Sequence, residues 1–210
     1  MRTFLKFCFL GSFLFILEVQ ASAKKETTVS YLQYVDEITN DFVKEMENET
    51  GLSCRGSGGS MPYDVEEFDI MLVGYRRATQ EEARALMVTA IQKLLKKINE
   101  HEKIRPFLRE YPFTESRASI SIAFQTNHGR RYLDGSIALA FNARNKIFYE
   151  RAEKQLVKYS ATINCATGKI DSPAYEKVQE KLVRITDETY EEAVKIVADS
   201  PAIAMAKKQR

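Results

Sequence analysis

"ASISIAFQTNHGRRYLDGSIALAFNARNKIFYER", residues 118–151, decides the class of fold. Ala118–Phe124 and Ser136–Phe141 alternate strictly, which is the pattern of strands with one covered face. The bulky set is Ile120, Ile122, Phe124, Ile137, Leu139 and Phe141, expected to point together into a core. The opposite set is small: Ser119, Ser121, Ala123, Ser136, Ala138 and Ala140. "NARN" (Asn142 to Asn145) then turns the chain into a third strand, "KIFYER".

Moving outward, "EEFDIMLVGYR" (66–76) carries apolar groups on both sides, as a strand covered on both faces does. It forms a hairpin with a short strand over 52–57, and "GGSMPYDV" is the bend. Between this hairpin and the next lies the clearest helix. Thr79 is its N-cap, Glu82 completes a capping box, and Ala83, Leu86, Ala90, Ile91, Leu94, Leu95 and Ile98 form its apolar stripe. A second helical stripe runs through Val29, Leu32, Val35, Ile38, Phe42, Val43 and Met46, and Gly51 ends it. Downstream, "LVKYSATIN" and "EKLVRI" read as further strands around a Gly168 turn, and Asp187 as the cap of a last helix. The expected class is α+β: a mostly antiparallel sheet of about four to six strands, packed by two long helices and a short C-terminal one.

Residues 1–23 read as a secretory signal peptide. Arg2 and Lys6 precede the uncharged run Phe7 to Leu17, and Ala21-Ser22-Ala23 supplies small residues for cleavage. That run is eleven residues long, against about 20 for a spanning helix, so cleavage after Ala23 leaves no transmembrane segment. Residues 24–210 then form a single domain, exported to a periplasm or secreted. Without Arg2, Lys6 and Glu18, the 31 basic and 29 acidic groups fall to 29 and 28. So even a balance speaks against a nucleic-acid binder, which needs a concentrated basic footprint. Cys54 and Cys165 are the cysteines that remain, and an even pair in an exported chain is expected to form a disulfide.

"SCRGSGGSMP" (53–62) invites a site but misses the required spacings. No lysine follows its glycines as a phosphate loop needs, and Ser57 has Arg55 where a hydrolase elbow needs a glycine. It is expected to be a flexible bend. A backbone nest for an anion, with Arg55, Gly56, Gly58 and Gly59, is the sharper alternative. Ser57, Ser60 and His128 are weak catalytic candidates, and His101 sits where a cation favours a helix C-terminus. No metal or cofactor is expected. "RPFLREYPF" (105–113) clusters Arg105, Phe107, Arg109 and Tyr111, the residue types of interface centres. The expected function is a non-catalytic, exported protein that binds a partner protein or envelope component. The alternatives are a small-ligand carrier using the Ser/Ala face of the 118–141 hairpin, or an enzyme built on the glycine-rich 53–62 segment.

Overall fold

The computed structural model describes residues 31–200. The expected signal segment, its cleavage site and the tail 201–210 lie outside the described residues.

Helix α1 covers 31–50. It buries Tyr31, Val35, Ile38, Phe42 and Met46, spaced at three and four residues so that they share one face. Within the described residues the buried face takes Tyr31 rather than Leu32, which is largely exposed, and Val29 of the expected stripe lies outside them. Gly51, at φ +68°, closes it by donating its N–H to Glu47 O at 3.0 Å. Strand β1 (Ser53–Ser60) and strand β2 (Glu67–Gly74) follow as an antiparallel hairpin. Helix α2 (Gln80–Glu100) opens on Thr79, whose side chain accepts from Glu82 N while the Glu82 carboxylate accepts from Thr79 N.

After two short 3-10 turns, Arg105–Phe107 and Glu115–Arg117, come β3 (Ala118–Phe124), β4 (Ile137–Ala143) and β5 (Lys146–Tyr159). A small hairpin, β6 (Thr162–Ile163) and β7 (Ile170–Ser172), interrupts the return along β8 (Tyr175–Thr189). Helix α3 (Tyr190–Asp199) ends the described chain. Its N-cap is Thr189, with Glu192 completing the box, and not Asp187, which instead pairs with Lys146 at 2.7 Å.

The sheet order is β1-β2-β3-β4-β5-β8. It is mixed: four of its five strand pairings are antiparallel, and β2 and β3 pair in parallel. The cause is α2: a helix joining two neighbouring strands of one sheet returns the chain to the same end. The protein is thus an α+β fold with six strands in the main sheet and three helices among the described residues. One sheet face packs on the helices through Phe68, Ile70, Leu72, Ile120, Ile122 and Tyr149, all fully buried or nearly so.

The segment 53–62 is not a bend. Ser53–Ser60 is the edge strand β1, with Arg55 at a bulge between Cys54 and Gly56. Only Gly59 is required by contact: a Cβ there would lie 2.0 Å from Glu67 O and 2.8 Å from Met61 Cε. A Cβ at Gly58 meets nothing within 4 Å. Gly59→Ala is therefore expected to cost about 1–3 kcal/mol by forcing β1 off β2. Gly58→Ala is expected to be neutral or slightly stabilising, since it narrows the unfolded chain's freedom. Urea denaturation of the pair checks this, and equal stabilities would refute the contact argument.

The face assignment of the central hairpin is also corrected. Ser121 pairs with Phe141, Ile122 with Ala140 and Ala123 with Leu139. Directly opposite residues share a face. Leu139 and Phe141 therefore lie with Ser119, Ser121 and Ala123 on the face away from the helices, while Ala140 and Asn142 join Ile120 and Ile122. The turn lies one residue later than expected, with Arg144 and Asn145 at positive φ (50° and 62°), and Asn142 belongs to β4.

Candidate functional site

The feature that departs most from a compact domain is the pairing of β5 with β8. It runs unbroken from Lys146↔Thr189 to Tyr159↔Tyr175, apart from one bulge near Tyr149. Strand β4 accompanies β5 only as far as Arg151. Beyond it, Ala152–Tyr159 and Tyr175–Leu182 form a two-stranded ribbon with neither outer edge paired in the main sheet. At about 3.3 Å per residue this ribbon extends about 25 Å past the last β4 contact.

Its cross-strand pairs explain how it holds without a core. Leu156 faces Val178, flanked by Lys154 opposite Glu180 and Lys158 opposite Glu176. The Lys158 ammonium lies 3.0 Å from Glu176. Such opposite-charge and apolar pairs each contribute about 0.2–1 kcal/mol. Tyr159 and Tyr175 stack at 4.7 Å with planes 12° apart, and the Gln179 amide donates to the Tyr159 hydroxyl. At the far end Ile163 pairs with Ile170. Leu156, Ile163, Ile170, Tyr175 and Val178 are 51–65% exposed, so large side chains are spent here on solvent rather than on packing. The expected strands "KIFYER" and "LVKYSATIN" left a break at "AEKQ" (152–155), whose charges hid the period-two pattern.

A second cluster is buried. Arg84 of α2 is 8% exposed and its Nε donates to Glu188 Oε1 at 2.7 Å. The Tyr149 hydroxyl of β5 donates to the same oxygen at 2.5 Å. Burial first, then the Glu188 carboxylate, pushes the Tyr149 phenol far above its usual range. For Arg84, burial is the largest influence and opposes the charge, but the hydrogen bond to Glu188 and the nearby negative charge together outweigh it and hold the guanidinium above its ordinary value. This cluster ties α2 to the base of the ribbon. Arg84 Nε and the Tyr149 hydroxyl both donate to the one Glu188 oxygen, so the cluster reads as a structural clamp.

The corner at 105–113 is pinned rather than free. Val65 N–H donates to Phe107 O at 2.7 Å and Arg109 N–H to Val65 O at 3.1 Å. Phe107 stacks on Tyr31 at 5.5 Å. Arg109 takes both oxygens of Asp64 at 3.1 Å and also pairs with Glu66, whose other oxygen accepts from Ser60. Arg105 bonds Asn99 O and lies 5.1 Å over the exposed Tyr111 ring.

The remaining sequence candidates are scattered. Ser60 pairs with Glu67 at the start of β2 and Ser57 with Ile70 in its middle, whereas His128 is exposed on the loop after Phe124, which pairs with Gly74 at its end. At about 3.3 Å per residue these rungs lie about 23 Å and about 13 Å from that end along the strand. Gly56 and Gly58 lie in extended backbone beside Arg55, which is exposed, rather than in a concave nest. Cys54 and Cys165 are both free. The expected disulfide is overturned: Cys54 lies on one edge strand, and Cys165 caps the ribbon that begins at the other. A bridge needs Cα atoms within about 7 Å, and five strand spacings of about 4.8 Å intervene.

His101 is the C-cap of α2. Its Nδ1 accepts from Ile104 N–H at 3.2 Å, and Nε2 lies 3.5 Å from Glu37. It borders an open cleft of about 570 Å³ between α1 and α2, shared with Glu37, Asp41 and Lys97. Beside it, hydrogen bonds from Lys93 and Lys97 hold the Glu45 carboxyl down to about 2. No helix among the described residues is long and apolar enough to cross a membrane, and no group of three or more metal-ligating side chains gathers among them. No family model matches the chain, and neither curated proteins nor solved structures give a match.

Proposed function

We propose that the protein is an exported, non-catalytic binding protein of the cell envelope or the surrounding fluid, and that it meets its partner through the β5–β8 ribbon. The ribbon carries this reading: an arm whose large apolar side chains stand in solvent is suited to being covered by something else. The export half rests on the N-terminal order of basic, apolar and small residues.

The test uses the chain 24–210 and a variant in which residues 157–177 are replaced by Asn-Gly, a turn that closes the Leu156↔Val178 rung. A photo-crosslinking residue at position 178 of the intact protein is expected to capture an envelope component, and one at position 96, exposed on α2, is not. The shortened variant is expected to keep its thermal transition and lose retention on native envelope. Equal retention of both forms would defeat the reading. N-terminal sequencing of the exported protein, expected to begin at Lys24, checks the export half.

A further inference from the structure

We infer that the end of the ribbon docks on a phospholipid surface. This rests on the reading of the ribbon as the binding arm and names the class of partner.

Three observations carry it. First, side chains are graded along the arm. Ile163 and Ile170 face one another near the end, 60% and 65% exposed, with Cys165 and Ala166 also exposed beyond them. Four residues behind, at about 13 Å, stands the stacked Tyr159–Tyr175 pair. An apolar leading end followed by amphipathic rings matches the layering of a membrane, where tyrosines settle at the headgroup level.

Second, the turn pairs most of its backbone amides internally. Asn164 N–H donates to Lys169 O, and Gly168 N–H to Asn164 O at 2.8 Å. The Asn164 side-chain oxygen accepts from Ala166 N–H at 3.0 Å and Thr167 N–H at 3.1 Å. Unsatisfied backbone groups are what bar irregular chain from hydrocarbon, and here the amides of 164 and 166–168 leave water already paired.

Third, the charges suit an anionic surface. Glu176 is held by Lys158, while the side-chain ammonium groups of Lys169 and Lys177 make no ion pair among the described residues and sit on stems long enough to reach lipid phosphates. Asp171 is the one carboxylate between Ser160 and Ala174 and lies behind Ile170. A protein groove would take the apolar pair equally well. It would not call for the tyrosine collar behind it or for a turn whose amides are paired internally.

The experiment is vesicle flotation of the full 24–210 chain. Vesicles of neutral phosphatidylcholine, and of the same lipid with phosphatidylglycerol, are compared with Ile163→Asp and Ile170→Asp variants. Binding is expected to the anionic vesicles, weaker to the neutral ones, and reduced by at least about tenfold by either substitution. Both sites are exposed, so unchanged thermal transitions confirm folded variants. A tryptophan placed by Ile163→Trp is expected to blue-shift on vesicle addition. No flotation, or flotation that both aspartate variants retain, overturns the inference. If position 178 then crosslinks to an envelope protein, the binding-arm reading stands and the lipid assignment alone is lost.

Discussion

Glu188→Ala is expected to destabilise the protein by about 3–5 kcal/mol, the usual cost of removing one partner from a buried ion pair. Two losses add in this case. Arg84 is left charged in the interior, with side-chain exposure of only 10%, and a guanidinium cannot shed its proton to escape. The Tyr149 hydroxyl loses its acceptor while its ring stays fully buried. The exposed pair Lys158–Glu176 supplies the contrast, with side chains 77% and 51% exposed, so Glu176→Ala is expected to cost less than about 1 kcal/mol. A double-mutant cycle sharpens the test. Arg84→Met with Glu188→Leu removes both charges together and should recover most of the loss, because what is costly is the stranded charge rather than the missing bond. Urea denaturation with unchanged m-values provides the measurement. A Glu188→Ala cost no larger than that of Glu176→Ala would show that the pair is not desolvated as the structure places it.

What the sequence conveyed follows from how local each feature is. Helix α2 was legible because its signals lie within a few residues of one another: a threonine, a glutamate three on, and an apolar stripe. Strands β3 and β4 were legible as strands for the same reason, since alternation is a property of one segment. Which face of β4 turns inward is not. It depends on a register set by the bulge between Ile137 and Leu139 and by Asn142, and both bulky and small residues alternate well enough to fit either way. The parallel pairing of β2 with β3 was implicit in the order strand, helix, strand, but alternation alone does not carry direction. The cysteine pair failed because parity of number says nothing of distance, and these two stand at opposite margins of the sheet. The ribbon was missed because strands that lack a core keep no covered face. Their stability comes from cross-strand pairs that appear only once the partner strand is known.

Asn142→Leu is expected to cost about 2–5 kcal/mol, although the two side chains are nearly the same size. Strand β4 pairs with β3 over only three rungs, from Ser121↔Phe141 to Ala123↔Leu139. The side-chain amide of Asn142 continues the ladder where the β4 backbone no longer does. Its Oδ1 accepts from Ile120 N–H at 2.7 Å, and its Nδ2 donates to Ala118 O at 2.7 Å. Ala118 and Ile120 are fully buried, so leucine would leave a donor and an acceptor unpaired at about 1–3 kcal/mol each. Asn142→Asp separates this from a packing effect. A carboxylate still accepts from Ile120 but sets a charge against the Ala118 carbonyl, and burial and that carbonyl both raise its pKa in the folded state above the unfolded value. The folded Asp variant therefore binds its proton more tightly than the unfolded chain. Its deficit relative to the parent should shrink as pH falls through the raised folded value toward the unfolded one, about 3.9, because the protonated acid can donate to Ala118. The Leu variant carries no such group, so its deficit should stay constant over the same range. Denaturation midpoints between about pH 4 and 8 read the difference. Parallel pH profiles for the two variants would mean that Asn142 serves by shape alone, and that the buried rung between β3 and β4 does not rest on its amide.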